Sequence, residues 1–158
     1  EGEEWYSNSK ADKWLENEYV TYLDPATQGV LTSVNIQSSI RGSLTTISRK
    51  AFFLSAREHG ISNPYTISEG DMQGYFAVGT PDERRVALFN GVAAPHWTRS
   101  MMYSRLIAAT ISTEGLEETV NPYTDVAGYR PAFTLPKDYV VTVGVPSTEN
   151  VMATAEVL

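Results

Sequence analysis

The chain has 158 residues, 42% hydrophobic and 20% charged; this is enough for one sizeable core, too few for two ordinary domains, and far from disordered, collagen-like or coiled-coil compositions. A formal charge of -7 and a pI near 4.8 oppose nucleic-acid partners, whose affinity rests on clustered Lys and Arg. The absence of cysteine removes disulfides, Cys-based zinc sites and thiol nucleophiles.

In chain order, "SNSKADKWLENEYVTYLDP" places Leu15, Tyr19, Tyr22 and Leu23 at helical spacing behind Ser9 and Asp12 as N-cap candidates, and predicts a helix over 11–23. Asp24-Pro25 ends it and caps a further short turn over "ATQGVL". "LTSVNIQ" reads as a strand, "GSLTTISRK" as an exposed loop or hairpin, and "AFFLS" as a buried strand. Ser55 and Glu58 have capping-box spacing, so "SAREHG" is expected to be a short helix stopped at Gly60, with Glu58 serving as its cap. From Ile61 to Ala94 the glycines and prolines predict loops with two short helices, around "EGDMQGYFA" and "PDERRVALF", and no sheet. Strands are expected again in "HWTRS", "YSRLIAATIS", "LEETV", "GYRPAFTL" and "YVVTVGV", with a turn at Thr113-Glu114-Gly115. No apolar run approaches the roughly 18–20 residues of a membrane-spanning helix, so no membrane insertion is expected. Opening on Glu1, the chain reads as a processed product or a fragment of a longer polypeptide.

Motifs for catalysis are sparse. His59 and His96 lie 37 positions apart with no H-x-x-x-H spacing, giving no metal-ligand pattern. There is no G-x-S-x-G, no P-loop, no G-x-G-x-x-G and no calcium loop among the acids. Nine tyrosines and three tryptophans are more informative, because such rings suit stacking on sugars or anchoring a protein contact. Trp14, Phe52, Phe53 and Phe133 are expected in the core; Tyr65, Tyr103 and Tyr123 sit in polar, turn-rich surroundings.

Four segments, "SKADKWLENEYV", "KAFFLS", "HWTRS" and "GYRPAFTL", resemble the motif series of a bacterial and phage domain family of unassigned function. Its usual forms are D-x-R-x-W-L-N-x-x-F, K-x-F-L-L-S, W-W-L-R-S-P and G-V-R-P-A-F. The likeness runs from about Trp14 to Val140, and its last two motifs are the specific part. Thr98 stands where the family usually has Leu, and Met101 where a proline follows R-S. The resemblance implies an α+β, C-type-lectin-like fold: two helices packed on a small, twisted, mostly antiparallel sheet with long irregular loops. It would occupy 1–145 as a single domain, with 146–158 as a C-terminal extension or linker. The lectin motifs E-P-N and W-N-D are absent, which argues against calcium-dependent sugar binding, and the lack of cysteine excludes the formylglycine-generating branch.

On this reading Trp14, Trp97, Arg99 and Arg130 are structural, with both arginines on neighbouring strands and their buried charge held by carboxylates or backbone carbonyls. Recognition falls to the segment between them, Met101 to Ala127, with Tyr103, Arg105, Asn121, Tyr123 and Asp125 as ligand-binding residues. The expected function is a non-catalytic recognition module of a phage tail or bacterial surface protein, located on the virion or the cell surface. It would need no cofactor or metal, and would bind a cell-surface glycan or protein. The alternative is a structural module of a virion or surface appendage contacting other virion or tail subunits. A building block of that kind exposes a contiguous apolar patch.

Overall fold

The computed structural model describes residues 5–77, 79–102, 107–121 and 127–139. The helix expected first is present. Ser9 accepts a hydrogen bond from the Asp12 N–H at 3.1 Å, which caps α1 (Lys10–Trp14); a wider π-helical turn, Leu15–Tyr19, leads into α2 (Val20–Tyr22). Asp24 then caps α3 (Pro25–Val30) by accepting from the N–H groups of Ala26 and Thr27, both at 3.0 Å, so the acidic residue before proline both stops one helix and starts the next.

The strands are β1 (Val34–Ile40), β2 (Ser43–Arg49), β3 (Ala51–Phe53), β4 (Ala87–Phe89), β5 (Val92–Ala94), β6 (His96–Met101), β7 (Ala108–Ile111), β8 (Glu117–Val120) and β9 (Pro131–Phe133). They pair antiparallel as β1-β2, β3-β9, β4-β5 and β6-β7-β8. The architecture is therefore mixed α+β, a few short helices with small antiparallel sheets. The helical segment is fastened to β2 by a fork-to-carboxylate pair, Arg49 Nε and Nη2 donating to the two oxygens of buried Asp12 at 2.8 and 2.7 Å.

Tyr6, Leu15, Tyr19, Ile36, Ala51, Phe52 and Phe53 form the main core, and Trp97 and Phe133 pack against it. A second cluster of Trp5, Met101 and Ala108 touches the other side of Trp97. Each large apolar side chain so buried contributes about 1.5–3 kcal/mol. Trp14 and Phe133, expected in the interior, are only half-buried; Trp14 closes over Tyr19, Tyr22 and Tyr129 at ring-centroid distances of 5.7, 6.3 and 5.6 Å.

Four local expectations are corrected. "SAREHG" is a tight turn rather than a helix: the Ser55–Glu58 box forms, each N–H bonding the other's side chain at 3.0 Å, but the chain leaves after one turn at Gly60. The second half of "PDERRVALF" is strand, not helix, because α4 ends at Arg85 (Pro81–Arg85). The middle of the chain does carry a sheet, for β4 and β5 are joined by Asn90-Gly91 with φ of 51° and 77°. A two-residue connection with both φ values positive matches the twist of a hairpin, and Asn-Gly is the pair that adopts it most readily. "EGDMQGYFA" yields only a 3₁₀ turn over Gly74–Ala77. The expected strand "YVVTVGV" from residue 140 onward, and the boundary at 145/146, lie outside the described residues.

Gly115 joins the β7–β8 turn to α4. Its φ is +79°, and a Cβ there would lie 1.8 Å from the Asp82 carbonyl oxygen. Gly115→Ala is expected to destabilise the fold by roughly 2–4 kcal/mol through backbone strain and overpacking, read as a lowered urea midpoint at unchanged m-value.

Candidate functional site

β6 is irregular where it carries its arginine. Trp97 pairs with Thr110 and Met101 with Ala108, so Thr98, Arg99 and Ser100 together face the single residue Ala109. A bulge of this kind re-aims side chains and backbone. The Arg99 N–H turns away from β7 to the Leu54 carbonyl at 3.1 Å, and its side chain enters the interior at 1% exposure.

There every donor of the guanidinium is used. Nη1 and Nη2 bond the two carboxylate oxygens of Glu58 at 2.6 Å each, Nη1 also reaches the Phe53 carbonyl at 2.8 Å, Nε the Gln37 carbonyl at 2.8 Å, and Nη2 the Glu69 carbonyl at 3.4 Å. Five N–H groups meet five acceptors, which is the condition for burying this charge. β1, β3, the 55–60 turn and the loop at residue 69 are thereby tied to one side chain.

A second carboxylate lies beside it. Glu69 accepts from the Ser100 hydroxyl at 2.6 Å and from the Ser39 N–H, while its carbonyl accepts from the Ser55 hydroxyl at 2.6 Å. Burial pushes the Glu69 carboxyl up to about 7, against the opposing pull of the Ser100 hydrogen bond and the Arg99 charge. Ser100 in turn accepts from the Ala56 N–H at 3.0 Å. The groups that resemble acid, base and nucleophile are all engaged with one another and with backbone.

Behind Glu58 a pair of imidazoles is sealed in. His59 and His96 are 1% and 2% exposed with ring centroids 5.6 Å apart, and Phe76 lies 4.9 Å from the His59 ring. The His59 Nδ1 lies 2.8 Å from the Ser55 carbonyl, which makes it the protonated nitrogen and leaves Nε2 an acceptor. Among the described residues neither that Nε2 nor either nitrogen of His96 has a hydrogen-bond partner. Burial is the main cause that lowers both, His59 to about 3 and His96 to about 2, and the charges of Arg130, Arg85 and Arg99 around His59 and of Arg130 by His96 act in the same direction. These rings are neutral. Among the described residues no group of three His, Cys, Asp or Glu side chains is placed to hold a metal ion.

Arg130 precedes β9 instead of lying within a strand and is half-buried; its Nη1 donates to the Arg85 carbonyl at 2.9 Å, and its guanidinium lies 6.0 Å from the Phe76 ring centre. A carbonyl holds it, as expected, but not as a strand residue.

A family model described as Domain of unknown function (DUF6273) matches residues 1–137. The chain belongs to that family. Neither a curated protein nor a solved structure matches the chain. Within this DUF6273 domain, the four motif segments fall on α1–α2, β3, β6 and β9, and the residues expected to be structural, Trp14, Trp97, Arg99 and Arg130, lie in or against the packed interior. Of the expected ligand-binding residues, Tyr103, Arg105, Tyr123 and Asp125 lie outside the described residues. Asn121 follows β8 and is exposed.

Two residues central to the DUF6273 interior escaped the sequence reading. The capping-box spacing of Glu58 says nothing of its bidentate pairing with Arg99; Glu69 gives no signal, because a lone acid beside a glycine reads as a solvated turn. Tyr65, by contrast, is 64% exposed as expected, and the next residue, Thr66, bridges to Met102 at the end of β6.

Proposed function

We propose that the chain is a non-catalytic recognition module with a C-type-lectin-like arrangement, carried on a phage tail or bacterial surface protein. Its binding face for a cell-surface glycan or protein is the 101–127 segment. One observation carries the reading: Tyr65 stands in solvent beside the Thr66–Met102 bridge, at the point where the chain leaves β6 for residues 103–106, while the strand behind it is clamped by Arg99. An exposed ring on a rigid root is how recognition surfaces are built. The engagement of Glu58, Glu69, Ser55 and Ser100 in structural hydrogen bonds supports the non-catalytic part.

Replacing Tyr65, Tyr103, Arg105 and Tyr123 together by Ala is expected to reduce binding to host cells or isolated surface glycans by roughly 30-fold or more, with Tm within about 2 °C of the parent. Retained binding at the parent level removes the face from consideration.

The second reading, an assembly module contacting like or neighbouring subunits, is favoured by the β4–β5 hairpin. Leu88, Phe89 and Val92 are 57%, 71% and 69% exposed there. Phe89 and Val92 form an uncovered apolar pair on one face and Leu88 lies uncovered on the other, apolar surface of the kind such a building block requires.

A further inference from the structure

The hairpin is apolar on both faces. Phe89 and Val92 are cross-strand partners and so share one face, together with Ala87 and Ala94; Leu88 and Ala93, one residue along each strand, share the other. From Val86 to Pro95 no residue is charged, in a chain of net charge -7. Among the described residues its sheet has two strands, so neither edge is paired with a further strand. With Phe89 and Val92 closing a two-residue turn as the hydrogen-bonded pair, Leu88 and Ala93 turn their N–H and C=O groups outward.

We propose that this hairpin is the contact through which a second copy of the chain docks, edge to edge; the inference rests on the assembly reading. Three arguments select a second copy. An outward N–H and C=O on the same residue is self-complementary: under a two-fold axis each copy donates where the other accepts. Copies of a chain with this net charge repel each other, and the uncharged stretch is a face on which they meet without opposing carboxylates. Neither β4 nor β5 contains a Lys, a Pro or an inward charge of the sort that blocks edge pairing, Pro95 following β5 without lying in it. Three exposed side chains, divided between the two faces, offer a few hundred Å² at most, below the ~800 Å² per partner of a standard interface, so the association is weak, with Kd on the order of 10–100 µM.

The test is sedimentation equilibrium of the full chain from about 10 µM to about 1 mM, a range spanning that Kd. The weight-average mass is expected to rise from 17.4 kDa towards twice that value, more steeply at high salt, since screening relieves the repulsion between copies. The double variant Phe89→Asp, Val92→Lys is expected to stay at the monomer mass with an unchanged circular-dichroism spectrum. Because the chain has no cysteine, Leu88→Cys and Ala93→Cys each give a single thiol on one edge of the hairpin; the variant on the paired edge sets its two sulfurs across the two-fold axis and is expected to yield a disulfide-linked dimer under mild oxidation. A wild-type chain monomeric throughout overturns both the inference and the like-subunit form of the assembly reading. A wild-type chain that associates while the double variant does so equally, or while both Leu88→Cys and Ala93→Cys stay unlinked, overturns the hairpin contact and leaves assembly standing.

Discussion

Arg99→Met is expected to cost the fold about 3–5 kcal/mol, the range for breaking a buried ion pair by removing one partner. Measured by urea unfolding, this is a large share of the 5–15 kcal/mol that a domain has in total. The substitution keeps much of the side-chain volume and removes five donors. Glu58, 6% exposed, is left as a buried carboxylate that still accepts from the Ser55 N–H, and the carbonyls of Phe53 and Gln37 lose the guanidinium. Arg99→Lys is expected to recover little, because an ammonium cannot engage both carboxylate oxygens in a fork while also reaching carbonyls on two strands. The double variant Arg99→Met, Glu58→Met is expected to be more stable than Arg99→Met alone, since the unpaired charge goes with the arginine. A coupling of at least about 2 kcal/mol in the cycle identifies the pair as the fastening point. Additive effects of the two substitutions would show instead that the arginine acts through its carbonyl contacts and packing.

What the sequence made legible follows from the range of the interaction. The Ser9 cap, the Leu15–Tyr19 spacing and the Asp24-Pro25 junction are local, and the helices stand within a residue of their expected limits. "HWTRS" supplies a fully buried arginine and "GYRPAF" a half-buried one outside the strands; a charge within an aromatic, β-prone run has to be compensated. The compensation itself was illegible: Glu58 lies 41 residues from Arg99 and Glu69 lies 31 from Ser100, and nothing local distinguishes them from the other acids of the chain. The β4–β5 hairpin is different. Its Asn90-Gly91 signal is local and was outweighed by the surrounding glycines and prolines, which mark loops but do not exclude a short strand between them. "SAREHG" fails in the opposite sense: its capping box is intact, yet Glu58 and His59 are drawn inward by Arg99 and by each other's neighbours, and one turn satisfies both. For the site, the exposure of Tyr65 was read from its polar surroundings, whereas the burial of both histidines without nitrogen partners has no sequence signature.

Those histidines, with Glu69, set a distinctive pH dependence. Each imidazole is held below its unfolded value of about 6.5, His59 at about 3 and His96 at about 2. The unfolded chain therefore takes up two protons that the native state refuses, and stability falls as pH drops from 6.5 towards 3. Glu69 works the other way: its folded value of about 7 lies above the unfolded value of about 4.3, so its contribution is fully present below pH 4.3 and is lost as pH rises through 7. From pH 6 to 4.5 two protons are opposed by one, and the net loss is about 1.4 kcal/mol per pH unit; below 4.5 Glu69 drops out and the slope roughly doubles. Stability is therefore expected to be flat near pH 7. His96→Leu removes a ring with two unpartnered nitrogens and is expected to nearly abolish the slope between pH 6 and 4.5. Glu69→Gln removes the opposing group and is expected to steepen it to about 2.7 kcal/mol per unit. Urea midpoints measured across pH 4.5–7.5 for the three proteins decide the matter through the order of their slopes, Glu69→Gln steepest and His96→Leu shallowest. Parallel curves for all three would mean that water reaches these groups in the folded state and that the sealed interior described around Arg99 is open to solvent.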